Sequence, residues 1–103
     1  MSANHPKPLN SQELEDLLKL LPQWNIIKEG DIDKLSREIR FPDFTKAFAF
    51  LTEVAAISEK FDHHAEIYNS YNFVRILLFT HTKSKITDLD REVAEEIEKR
   101  IGS

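Results

Sequence analysis

Three of the four histidines in this 103-residue chain fall between positions 63 and 81: His63, His64 and His81. The fourth, His5, stands in a polar N-terminal stretch. An imidazole titrates near neutral pH, so it can give or take a proton with little tuning. In a regular strand, His63 and His64 would point to opposite faces, whereas an irregular turn can aim both into one pocket. One reading is an acid–base cluster; another is three unrelated surface histidines. A third is a zinc site, because three imidazoles with an open position can hold a catalytic metal. Glu59 and Asp62 would supply carboxylates to such a site. Against it, neighbouring histidines rarely reach one tetrahedral centre together, and no H-E-x-x-H helix is present. The expected metal content is none.

Other chemistries are excluded by composition. The chain has no cysteine, which removes disulfides, thiolate metal sites and thiol nucleophiles. Its glycines, Gly30 and Gly102, are too far apart to cradle a phosphate, and no G-x-S-x-G elbow occurs. The formal charge is −4, and Lys and Arg form no stripe, so direct nucleic-acid binding is not expected. No apolar run approaches the roughly 20 residues of a membrane span, and the first ten residues lack the apolar centre of a secretory signal. The default expectation is a soluble cytoplasmic protein, with the nucleus as a second compartment that fits. Its length suits one domain over residues 11–103 behind a polar tail of residues 1–10.

The elements that must position the histidines are readable from periodicity. A first helix is expected from about Gln12 to Leu21, capped by Asn10 or Ser11 and stopped by Pro22. Its apolar face holds Leu14, Leu17, Leu18 and Leu21. Alternation over Trp24, Ile26 and Lys28, then over Leu35, Arg37, Ile39 and Phe41, predicts a hairpin turning at Gly30-Asp31. A long helix starts at Pro42-Asp43 and runs to about Lys60. Its main apolar stripe is Phe44, Ala47, Phe48, Leu51, Val54 and Ala55, with Phe50, Val54, Ile57 and Phe61 beside it, and its aromatic residues read as core.

A third strand is expected over Glu66–Tyr71 and a fourth over Phe73–Thr82. In the fourth, Val74, Ile76, Leu78 and Thr80 share one face, while Phe73, Arg75, Leu77, Phe79 and His81 share the other. Thr87 with Asp90 resembles a capping box opening a last helix, whose stripe is Leu89, Val93, Ile97 and Ile101. Asp90 has two readings: a satisfier of the helix start, or a carboxylate that orients an imidazole. The order α-β-β-α-β-β-α gives an α+β fold, a four-stranded antiparallel sheet with three helices on one face. If the third and fourth strands pair as a hairpin around Ser70 to Phe73, their outer ends bring His63 and His64 towards His81.

The stretch Glu59-Lys60-Phe61-Asp62-His63-His64-Ala65-Glu66, continued through Tyr71, Thr80-His81 and Asp90, resembles the pterin-4a-carbinolamine dehydratase family. That family is also known as the dimerisation cofactor of a homeodomain transcription factor. Trp24-Asn25, Arg40-Phe41-Pro42-Asp43-Phe44 and Ala47-Phe48 resemble its hairpin and long helix, so the likeness runs from about Leu14 to Ile97. Three positions depart from the pattern. Ala65 stands where proline usually follows the paired histidines, Ile67 where an aromatic is common, and Lys85 where glycine is usual.

The resemblance implies loss of water from a pterin 4a-carbinolamine to give a quinonoid dihydropterin, as in tetrahydrobiopterin recycling, with no cofactor. It implies that His63 and His81 form the acid–base pair and that His64 binds the pterin. Glu59 and Asp90 would support them, and Tyr71 or Arg75 would line the pocket. It also implies a homodimer through sheet edges or a homotetramer of two dimers. A non-catalytic role as a transcription-factor partner is the alternative function.

Overall fold

The computed structural model describes residues 5–101. Helix α1 (Ser11–Leu20) begins with a complete capping box: the Asn10 side chain accepts from the Glu13 backbone N–H, and the Glu13 carboxylate accepts from that of Asn10. Leu17 and Leu21 are buried, while Leu14 and Leu18 pack partly against the same core. Strands β1 (Asn25–Glu29) and β2 (Ile32–Arg40) form the first hairpin. Gly30 sits in its turn at φ +61°, a left-handed conformation that favours glycine.

Helix α2 (Phe44–Phe61) is started by Asp43, whose carboxylate accepts from the Lys46 N–H at 2.8 Å. It buries Ala47, Phe50, Leu51, Val54, Ile57 and Ser58. The helix is thus rotated from the expected main stripe: Phe44 and Phe48 are 47% and 53% exposed. The reason is that residues 50, 54 and 57 make a second, equally continuous apolar line, and the sheet takes that one. The expectation that all the aromatic residues of this helix are core is corrected for Phe44 and Phe48.

Strands β3 (Glu66–Ser70) and β4 (Phe73–Leu78) make the second hairpin, and helix α3 (Asp88–Ile101) closes the chain. The sheet order is β1-β2-β4-β3, antiparallel throughout. Leu17, Trp24, Leu35, Val54, Val74, Ile76, Leu78, Val93 and Ile97 belong to one core shared by the three helices and one face of the sheet. Burying such side chains is worth about 1.5–3 kcal/mol each before conformational entropy is set against it. Among the described residues, all three helices share this core on one face of the sheet, as the α+β expectation has it.

Several boundaries differ from expectation; β3, for one, ends at Ser70 and not at Tyr71. Strand β4 ends at Leu78 and not near Thr82, because Thr80 forms an isolated bridge with Lys85 that folds residues 81–84 into a tight turn. At the N-terminus, residues 1–4 of the expected tail lie outside the described residues, but Lys7 to Leu9 run antiparallel to residues 86–88. The Leu9 N–H donates to the Ile86 carbonyl, and the Asp88 N–H to that of Lys7, each at 3.0 Å. This segment braces the loop that leads into α3. Among the described residues, no helix is long and apolar enough to cross a membrane.

Candidate active site

The last turn of α2 decides where the paired histidines go. Asp62 adopts a left-handed conformation (φ +50°) and its N–H turns back to the helix carbonyls, while the His63 N–H donates to the Ser58 carbonyl at 3.0 Å. That reversal ends the helix and folds His63 inward. His63 is 8% exposed, and its Nε2 lies 2.5 Å from Asp90 Oδ1. His64, one residue on, points outward: it is exposed, and its Nε2 meets Glu59 Oε2 at 2.6 Å. The irregular turn therefore separates the two rings by burial, which an alternating strand would also do.

Asp90 is fully buried and holds several partners at once. Its Oδ2 accepts from the Thr87 N–H at 2.8 Å and from the Thr80 hydroxyl at 2.9 Å. The Thr87 hydroxyl in turn lies 2.7 Å from that of Thr80 and accepts from the Leu89 N–H. Both readings of Asp90 are thus realised together. It accepts from the Thr87 N–H at the start of α3, one half of a capping box, and it grips the His63 ring. A carboxylate that accepts at both oxygens makes His63 Nε2 the donor. The other ring nitrogen, Nδ1, has no hydrogen-bond partner, and no buried side-chain nitrogen or oxygen among the described residues lacks one. Nδ1 is therefore not wholly sealed from solvent, and with Nε2 donating it carries the ring's lone pair.

His81 follows Thr80 directly, in the turn closed by the Thr80–Lys85 bridge. Its backbone is fixed by that bridge and by the Ser84 N–H, which donates to the His81 carbonyl at 3.2 Å. Its exposed ring makes no hydrogen bond and lies 4.2 Å, centroid to centroid, from Phe79. One carboxylate thus touches the His63 ring on one side and, through Thr80, the chain that carries His81 on the other. The three imidazoles are not hydrogen-bonded to one another. Among the described residues, no group of three or more His, Asp and Glu is arranged to hold a metal ion.

Tyr71 and Arg75 lie elsewhere. Tyr71, at φ +53°, makes the turn of the second hairpin, the closed end opposite the histidines. The intervening strand length is roughly 15–20 Å. Both residues line an open concavity of about 500 Å³ together with Arg40, Tyr68 and Phe73. Arg75 donates to Glu38 at 3.0 Å and lies over the rings of Tyr68 and Phe73.

Thr80 is the site residue that pattern reading passes over. The available signal is its place on the face of Val74, Ile76 and Leu78, because a hydroxyl at a buried position needs a partner.

Comparison with known proteins places this geometry among relatives. A family model described as pterin 4 alpha carbinolamine dehydratase matches residues 7–100. A protein of Prochlorococcus marinus (strain MIT 9515) is 42% identical over 92 residues, 89% of this chain and 92% of its own. One from Rhizorhabdus wittichii is 45% identical over 92 residues, 89% of this chain and 93% of its own. Both are provisionally named pterin-4-alpha-carbinolamine dehydratases. Among solved structures, a Brucella melitensis protein described as a transcriptional coactivator/pterin dehydratase superposes with TM-score 0.82 at 33% identity, covering 90% of this chain and 97% of that one. A pterin dehydratase-like protein described as a RuBisCO assembly factor of the alpha-carboxysome shares the fold, with TM-score 0.66 at 24% identity over 79% of this chain and 92% of that one.

Proposed function

Since the chain belongs to the pterin 4 alpha carbinolamine dehydratase family, we propose that it removes water from a 4a-hydroxytetrahydropterin by histidine acid–base catalysis. The observation that carries this reading is the buried Asp90 carboxylate, which holds the His63 ring by Nε2 and leaves Nδ1 without a partner. In the elimination, the C4a–O bond breaks with its electron pair, and the departing oxygen gains a proton and leaves as water. A ring nitrogen loses its proton, and its electron pair becomes the new C=N bond of a quinonoid dihydropterin. Protons and electrons balance without an oxidant or reductant.

His63 is suited to take the nitrogen's proton. Asp90 fixes its tautomer and steadies the positive charge that then forms on the ring. His81, exposed and with both ring nitrogens unengaged, is the partner that delivers a proton to the leaving hydroxyl. His64, backed by Glu59, binds and polarises the pterin. Each transfer of this kind contributes about 10²–10⁴ in rate. Tyr71 makes the closed end of the hairpin and Arg75 stands midway along it, opposite Tyr68, and the chemistry proposed here rests on the histidines. The cellular setting that suits this reaction is recycling of tetrahydrobiopterin in the cytoplasm. A stopped-flow assay of carbinolamine breakdown tests the reading.

A second reading, a binding module for a protein partner such as a transcription factor, is favoured by the exposed pair Phe44 and Phe48 on α2. The two surfaces are separate, so each can be tested alone. Changing Phe44 and Phe48 to serine would abolish partner binding under this reading and leave pterin turnover intact.

A further inference from the structure

We propose that Phe79, clamped by Lys34, is a positioning residue for His81; the inference rests on the acid–base role given to His81 above. Phe79 lies on the helix-free side of the sheet, yet it is only 7% exposed. Its cover is the Lys34 side chain from β2, itself 7% exposed, whose Nζ stands 4.6 Å from the centre of the Phe79 ring. That ammonium is fixed from two sides, donating to Glu29 on β1 at 2.7 Å and to Glu66 on β3 at 2.9 Å. The side chain of Lys34 thus straps the outer face of the sheet from one edge strand to the other.

A long lysine side chain does not ordinarily give up its rotamer freedom. Here two carboxylates and an aromatic face hold it in place. The hydrogen bonds from Lys34 to Glu29 and then Glu66, opposed by burial, raise its pKa, so its charge persists wherever the enzyme would work. The consequence lies on the far side of the phenyl ring. His81 sits 4.2 Å from Phe79 with the ring planes tilted by 48°, and its imidazole has no hydrogen-bond partner. Thr80 and the Lys85 bridge fix the backbone of His81, and among the described residues the contact with Phe79 is the one ring or hydrogen-bond interaction its side chain makes. A proton donor on an exposed turn is effective to the extent that its orientation is set in advance.

The test compares Phe79→Leu, Phe79→Tyr, Lys34→Met and Lys34→Arg with the wild type. It uses ¹H–¹³C spectra of the histidine rings alongside steady-state kinetics. Phe79→Leu should move the His81 ring signals, by loss of the phenyl ring current, and leave those of His63 in place. It should lower kcat about 3- to 10-fold with little change in KM. Phe79→Tyr and Lys34→Arg should retain the wild-type values, and Lys34→Met should fall between. Should Phe79→Leu not fold, Lys34→Met carries the same comparison. His81 signals that ignore the loss of Phe79, or an unchanged kcat in an otherwise active enzyme, would overturn the proposal. If the wild type itself lacks dehydratase activity, the functional reading fails, and the side-chain rotamer of His81, read from its three-bond couplings in wild type and Phe79→Leu, decides whether Phe79 orients it.

Discussion

The ring of His63 and the carboxylate of Asp90 meet at 2.5 Å across 27 residues of sequence, and that carboxylate also opens helix α3. Helix start and imidazole orientation therefore share one side chain. Asp90→Asn keeps an acceptor for the Thr87 N–H but weakens the hold on the His63 tautomer. Turnover should fall about 10- to 100-fold, measured by stopped-flow, with the fold intact by circular dichroism. Asp90→Ala also strands the partners of the carboxylate in the interior. It should destabilise the protein by about 3 kcal/mol or more in urea unfolding.

Glu59 and His64 form an exposed pair, with side chains 78% and 62% accessible. Such a pair adds at most about 0.5–1 kcal/mol to stability. Glu59→Gln should leave the urea midpoint nearly unchanged while weakening pterin affinity. A Glu59→Gln enzyme with wild-type turnover and KM would remove Glu59 from the site.

The rotation of α2 makes a sharp contrast between two phenylalanines two residues apart, on opposite sides of the helix. Phe50 is buried against the core and stacks near Phe41, with ring centroids 5.1 Å apart, whereas Phe48 is half exposed. Phe50→Ala should cost about 3–5 kcal/mol, and Phe48→Ala within about 0.5 kcal/mol. Equal losses would place the helix in the other register.

Acid should unfold the protein partly through Glu98. This carboxylate accepts from Trp24 Nε1 at 2.8 Å and from Arg37 Nε at 3.0 Å. Burial would raise its pKa, but the hydrogen bonds from Arg37 and Trp24, with the Arg37 charge, outweigh burial and hold it below the ordinary value of 4.5. A folded-state pKa below the unfolded one adds stability above about pH 4.5, and that share is lost as pH falls through the folded value. Unfolding followed by the fluorescence of Trp24, the single tryptophan, should show stability dropping below about pH 4.5. Glu98→Gln should flatten that drop.

The order of elements was legible because each carries a clean period or cap: Asn10 or Ser11 before the first helix, Asp43 before the second, and the alternation through Val74, Ile76 and Leu78. The rotation of α2 was not, since two adjacent apolar lines compete and only the sheet decides between them. Asp90 could be read as a cap because that interaction is local. Its grip on His63 depends on a left-handed turn at Asp62, where an aspartate is no strong marker of that conformation. Lys34 gave no signal, because an alternating lysine on a strand reads as solvent-facing until its neighbours across the sheet are known.

The central question for this protein is whether these imidazoles move protons on a pterin. The most direct measurement is stopped-flow breakdown of a freshly generated 4a-carbinolamine with wild type, His63→Ala and His81→Ala. The wild type should accelerate it strongly, and each substitution should remove about 10²-fold or more of that acceleration. A wild-type protein that leaves the spontaneous rate unchanged, or histidine variants as fast as the wild type, would contradict the account.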